Sequence, residues 1–307
     1  MNQLKLMTIA LTVSVSGWLN AQHADMSRYY NSSAGHNAPQ SEAVKDDHGN
    51  VVKDQTGNVV YKEIQKDSYG NAAGHQYDLA VDGAFEGQTI LVLQLYSEAS
   101  FDFKAPEKAL KEKGFGVFRY ISNPPDAAQL KKDLSQSCQL WIISDMYSKL
   151  NEDHLKVIKE FFNAGHGIYI WGDNEPYYAD ANKVAQYLFN GEMTGNLMGD
   201  QPVGIQMNST APGIREGHLI TTGLENVYEG ITIATVSANE SLQPIIYGSA
   251  GNLVTAVYEK NGKRAILDGG FTRLYYKWET AGTDRYVKNA AAWLVNMENL
   301  SMNKTNK

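Results

Sequence analysis

Residues 89–95 are almost wholly apolar, the pattern of a strand covered on both faces in a parallel sheet. A helical spacing of apolar positions follows over 106–113 and stops at Gly114, and 117–121 reads as the next strand. The alternation continues with a helix over 126–134, a strand over 140–144, a helix capped by Asn151, a strand over 168–171 and a helix over 179–189. The Asn151 helix puts Leu155, Ile158 and Phe162 on one stripe, sets Leu150 against Leu155 as a hydrophobic staple, and stops at Gly165. Such strict alternation predicts right-handed βαβ units. The expected fold is α/β, flavodoxin-like and doubly wound, with a mostly parallel sheet. After Gly191 the pattern loosens, then resumes at 231–236 and 253–258. Asn261-Gly262 predicts a two-residue hairpin into 264–267, and a closing helix over 283–297 carries Val287, Ala291 and Leu294 as its core stripe.

The chain before this domain has a different texture. Lys5, the apolar run 6–15 and the small Ala21 form the pattern of a signal peptide over 1–21, too short to span a bilayer. Export is therefore expected, to a secreted or periplasmic location, with Gln22 as the first mature residue. Residues 22–80 are rich in Asn, Gly, Asp, Ser and Lys, and Gly49-Asn50-Val51-Val52 recurs as Gly57-Asn58-Val59-Val60. This extension predicts small hairpins or a turn-rich linker, and its aspartates lack the spacing of a calcium loop. The α/β domain is expected over 81–298, with a polar tail over 299–307.

At 307 residues the chain is long enough to bury a core without metal or disulfide staples. Its formal charge of -7 becomes -8 on loss of 1–21, and no basic block is present, which argues against a nucleic-acid surface. Cys138, the single cysteine, stands before the apolar run 140–143 and reads as core packing. The His spacings show no zinc motif, so neither a metal nor another cofactor is expected.

Four stretches give the chain a likeness: Ile90-Leu91-Val92-Leu93, the helix-Gly-strand segment 161–172, the phrase Gly217-His218-Leu219-Ile220-Thr221-Thr222-Gly223-Leu224, and the ending 262–294. Together they resemble the class I glutamine amidotransferase-like superfamily, nearest to its trehalose-utilisation (ThuA-like) branch and to the related domains of gliding-motility and intraflagellar-transport proteins. The third stretch is similar to a His-Pro-Ile-Thr-x-Gly-Leu phrase, with Leu219 in place of Pro. The resemblance implies a nucleophilic Cys on the elbow after strand 168–171, paired with a later His. Here that elbow reads Gly172-Asp173-Asn174-Glu175, and no His follows His218. Glutamine hydrolysis is not expected.

Open α/β sheets bind ligands outside the carboxyl ends of their strands. Those ends carry Glu98, Asp145, Asp173, Glu175 and Asp268. A Gly269-Gly270 pair then leads into an aromatic and cationic loop with Arg273, Tyr275, Tyr276 and Trp278. These residues, with His218, form the candidate ligand site, and Arg273 is expected to hold the carboxylates ionised. The function expected is that of an exported non-catalytic module recognising a small polyhydroxyl ligand or a protein partner. A carbohydrate-modifying hydrolase using the rim carboxylates, and a structural envelope component, are the alternatives.

Overall fold

The computed structural model describes residues 26–98, 101–209, 211–274 and 276–297. The expected leader and tail lie outside the described residues. In chain order the elements are β1 (Ser41–Ala43), β2 (Tyr61–Glu63), β3 (Thr89–Gln94), α1 (Lys104–Glu112), β4 (Gly116–Ile121), α2 (Ala127–Leu134), β5 (Gln139–Ile143), α3 (Glu152–Asn163), β6 (Gly167–Trp171) and α4 (Ala179–Phe189). The second half adds β7 (Met193–Met198), β8 (Pro202–Gly204), β9 (Gly213–Ile214), β10 (Asn226–Tyr228), β11 (Thr232–Val236), β12 (Gln243–Tyr247), β13 (Leu253–Lys260), β14 (Lys263–Asp268) and α5 (Thr283–Leu294). Eight strands form one sheet in the order β4-β3-β5-β6-β14-β13-β12-β9. The first five are parallel and the last three antiparallel, so the fold is flavodoxin-like, with the β13–β14 hairpin appended to the parallel part.

Alternation along each central strand divides the core between the two faces. Ile90, Val92, Trp141, Tyr169 and Trp171 pack on one side with residues of α1 and α5. Leu91, Leu93, Leu140, Ile168 and Ile170 pack on the other with residues of α2, α3 and α4. Local chemistry sets the helix ends as the sequence foretells. Asn151 accepts from the Asp153 and His154 amides at 3.1 Å each, and Asp126 accepts from Gln129 at 2.8 Å. The loosened stretch after Gly191 pairs as two short ladders outside the main sheet, β7 with β11 and β8 with β10.

The extension contains a third copy of its repeat, which the sequence reading missed. Lys-Asp-x-x-Gly-Asn occurs at 45–50, 53–58 and 66–71, and each copy closes one antiparallel bridge: Lys45 with Val51, Lys53 with Val59, Lys66 with Ala72. In each, the Asp Oδ1 accepts from the backbone amides two and four residues on, at 2.8–3.0 Å. Each glycine has φ between 81° and 88°, the left-handed conformation that a side chain disfavours. The third copy is docked on the domain. Asn71 is fully buried, and its Oδ1 accepts from the Glu225 and Asn226 amides at 2.7 and 2.8 Å. Asn50 and Asn58 occupy the same repeat position but face solvent. Asn71→Ala is therefore expected to cost about 2 kcal/mol, because two amides lose their acceptor. Asn50→Ala should stay within about 0.5 kcal/mol. Equal urea midpoints for the two variants would refute the docking.

Below this turn the extension enters the interior. Asp78 is fully buried and meets Lys113 at 2.8 Å, Lys288 at 3.1 Å and Arg285 at 2.7 Å. The next residue, Leu79, donates its amide to Asn289 Oδ1 at 2.7 Å.

Candidate functional site

The site is assembled where β6 and β14 end side by side. Asp268 is in register with Trp171, so Asp173 lies two residues beyond the ladder at the same end of the sheet. Gly172 N donates to Asp268 O and Phe271 N to Gly172 O, which stitches the two exits together. The Gly-Gly pair is required by close approach. A Cβ on Gly269 would lie 2.5 Å from Ala234 O, and one on Gly270 2.4 Å from Glu229 O.

This turn folds Arg273 back into the protein, where it is fully buried. Its Nη2 donates to Glu229 O at 3.0 Å and stands 3.4 Å from Asp268 Oδ1, with the guanidinium over the Tyr286 ring. Asp268 accepts from Gly270 N at 3.0 Å, from Tyr169 Oη at 3.1 Å and from Tyr286 Oη at 2.6 Å. Burial first, and then the Asp268 charge, drive the Tyr286 phenol well above its usual range. Glu229, also fully buried, accepts from the Ser249 amide at 2.6 Å and its hydroxyl at 2.8 Å.

Above this network lies a cleft of about 330 Å³, with Asp173 among its lining residues. Tyr96, Tyr177 and Tyr276 supply aromatic wall, and Glu98 and Asn174 further polar groups. Asn174 is oriented by Thr232, whose hydroxyl donates to Asn174 Oδ1 at 2.8 Å. Asp173 is only 7% exposed and its Oδ1 has no protein partner. Burial pushes its pKa up to about 8 and Asp268 adds to the rise, while the Asn174 backbone amide and then Arg273 oppose it without prevailing. This overturns, for Asp173, the expectation that Arg273 would hold the carboxylates ionised. Arg273 is committed to Asp268 and the Glu229 carbonyl, and desolvation decides the outcome. Arg273 Nε and Nη1 and Trp171 Nε1 are likewise buried without a protein acceptor. Polar capacity of this kind is normally met by solvent or a ligand.

The other candidates are dispersed. Glu98 lies at the cleft, exposed. Asp145 follows β5 but pairs with Lys149 at 2.8 Å and does not line the cleft. Glu175 is exposed on the turn beyond it. His218 belongs to the far end of the sheet, near Arg264 at the start of β14, with its ring edge-on to Trp293. It caps a short turn by accepting from Ile220 N at 3.2 Å, and burial lowers its pKa to about 4. Trp278 lines a separate cleft of about 310 Å³, between the docked extension and the start of α5. Tyr275 lies outside the described residues. Neither Asp173 nor Asn174 caps α4, whose N-cap is Tyr178. Burial pushes the Cys138 thiol up to about 12, which leaves it unreactive. Among the described residues no group of His, Cys, Asp and Glu is arranged to hold a metal ion, and no helix is long and apolar enough to cross a membrane.

Tyr169, Tyr286, Glu229, Tyr96 and Tyr177 were missed in the sequence. Tyr96 was within reach, since it leaves β3 two residues before Glu98. Glu229 carried no signal, because its depth comes from Gly199, Ser249, Gly270 and Arg273, which lie apart in the sequence.

No family model matches the chain, and no curated protein matches it in sequence. Among solved structures it is similar to a ThuA-like protein from Parabacteroides merdae ATCC 43184, at 12% identity and a TM-score of 0.43 over 69% of this chain and 90% of that one. It is also similar to a GMP synthase component from Thermoplasma acidophilum, at 9% identity and 0.40 over 68% and 96%. A third likeness is to an exo-β-1,4-mannosidase from Opitutaceae bacterium strain TAV5, at 9% identity and 0.39 over 69% of this chain and 36% of that one. The chain thus spans about a third of the mannosidase. At these TM-scores the likenesses specify neither ligand nor chemistry.

Proposed function

We propose that the protein is an exported, non-catalytic module that binds a small polyhydroxyl ligand, such as a carbohydrate, in the cleft above Asp173. The observation that carries this reading is the Asp173 carboxyl, buried at the cleft with its Oδ1 unpartnered and three tyrosines around it. Aromatic faces pack against the C–H faces of a sugar ring, while the carboxyl and the Asn174 amide can exchange hydrogen bonds with its hydroxyls. The Gly172–Glu175 elbow carries no cysteine, and the thiol of Cys138 is buried with its pKa raised to about 12, which supports a reading without cysteine chemistry. Export is read from residues 1–21 alone.

One observation favours a second reading. A carboxyl that keeps its proton near neutral pH is suited to general-acid catalysis, and Glu98 would be its partner in a glycoside hydrolase. Calorimetry of the full chain against neutral mono- and disaccharides tests the first reading. Binding should be measurable and should weaken about tenfold or more in Tyr276→Ala, the exposed tyrosine of the cleft wall. If no saccharide binds, the proposal fails. Release of nitrophenol from aryl glycosides, lost in Asp173→Asn, would replace it with the second reading.

A further inference from the structure

We infer that the cleft selects polyhydroxyl ligands that carry a positively charged amine, the chemistry of an amino sugar with its amino group free. The inference rests on the polyhydroxyl reading above and adds a charge requirement to it.

The argument is a count of charges around one small volume. Asp173 lines the cleft, and Asp268 and Glu229 lie buried behind it; the guanidinium beside them, Arg273, is held by Asp268 and the Glu229 carbonyl. Glu98 adds a fourth carboxyl at the cleft. The cations on neighbouring elements are committed elsewhere. Lys149 holds Asp145 and Leu95 O, Arg119 holds Gln94 Oε1 over the Phe103 ring, and Lys277 holds Asp200. The cleft therefore has an excess of acid over base in a setting where water screens poorly. Asp173, desolvated and with Asp268 near it, keeps its proton.

An ammonium group seated in the cleft against the Asp173 carboxyl changes that balance. The carboxyl gives its proton to solvent, the ligand stays protonated, and one charge-assisted hydrogen bond forms. Tyr96, Tyr177 and Tyr276 add π faces, which attract a cation and are indifferent to a neutral hydroxyl. A carboxylate-bearing sugar would meet Glu98 as a like charge.

Calorimetry with glucose, glucosamine and N-acetylglucosamine, near neutral pH in two buffers of different ionisation enthalpy, tests the inference. Glucosamine should bind at least about tenfold more tightly than the other two, the ordinary margin of a charged over a neutral hydrogen bond. Its binding enthalpy should differ between the buffers by the release of up to about one proton, whereas that of glucose should not. In Asp173→Asn the proton release should vanish and the three affinities converge. Should that variant fail to fold, the two-buffer comparison on the wild type decides alone. Equal affinities for glucose and glucosamine, or no proton release with glucosamine, would overturn the charge requirement and leave the polyhydroxyl reading standing. Binding by none of the three would overturn both.

Discussion

Replacing Asp78 by Ala is expected to cost about 3–5 kcal/mol of folding stability, the usual loss when one member of a buried ion cluster is removed. Three cations converge on this carboxyl, and two of them, Lys113 and Lys288, are themselves buried. Burial alone would push the Asp78 pKa up, but Lys288, Lys113 and Arg285 together outweigh it and hold the carboxyl below its usual value. Its stabilisation is therefore complete above the ordinary aspartate range and is lost as pH falls through the lowered folded value. Without Asp78, Lys113 keeps only Asp82, and Lys288 keeps Asp284 and Glu112. Urea denaturation near neutral pH gives the loss directly. A change below about 1 kcal/mol would show that the remaining acids compensate.

The second large effect has the opposite sign. Asp173→Asn should make the protein more stable at and above the folded pKa of about 8. The folded state holds this proton more tightly than the unfolded chain, whose aspartate titrates near 3.8. The wild type is therefore fully stabilised by it only below the unfolded value. It loses about 1.4 kcal/mol per pH unit as pH rises through the interval, with no further loss above the folded pKa. Asn does not titrate and escapes this decline, so at the alkaline end the variant should gain several kcal/mol, with about 6 kcal/mol as the ceiling before the cost of burying the amide. Urea midpoints of both proteins at acidic, neutral and alkaline pH test it. Parallel curves would mean that Asp173 is ionised throughout.

The parallel part of the fold was legible because its strands are apolar on both faces and its helices carry their own stops. The runs at 89–95, 140–143 and 168–171 could hardly be anything but covered strands, and Asn151 and Gly165 punctuate their helix as written. The short ladders β7–β11 and β8–β10 were not, since a strand reading Met-Thr-Gly-Asn-Leu-Met offers no clean alternation. The third repeat was hidden by substitution at its ends. Ala72-Ala73 stands there in place of Val-Val, with Ala72 buried, although the Lys-Asp-x-x-Gly-Asn centre is intact. For the site, topology brought Asp173 and Asp268 to one end, which strand direction alone foretold. What sequence could not convey was depth. Arg273 reads as a loop cation and is fully buried, and Asp173 reads as a solvated carboxylate and is nearly so.

The ties between the extension and α5 also order the folding of the chain. Arg285 reaches back to Asp78 across 207 residues, and Asn289 reaches Leu79 across 210. Contacts of such long range require loop closure over most of the chain before they return any free energy. The partners of Asp78 come from the end of α1 and from the last helix, so its charge can be buried only after the C-terminal segment is in place. During vectorial synthesis the Asp78 carboxyl therefore lacks two of its three cations until α5 has been made.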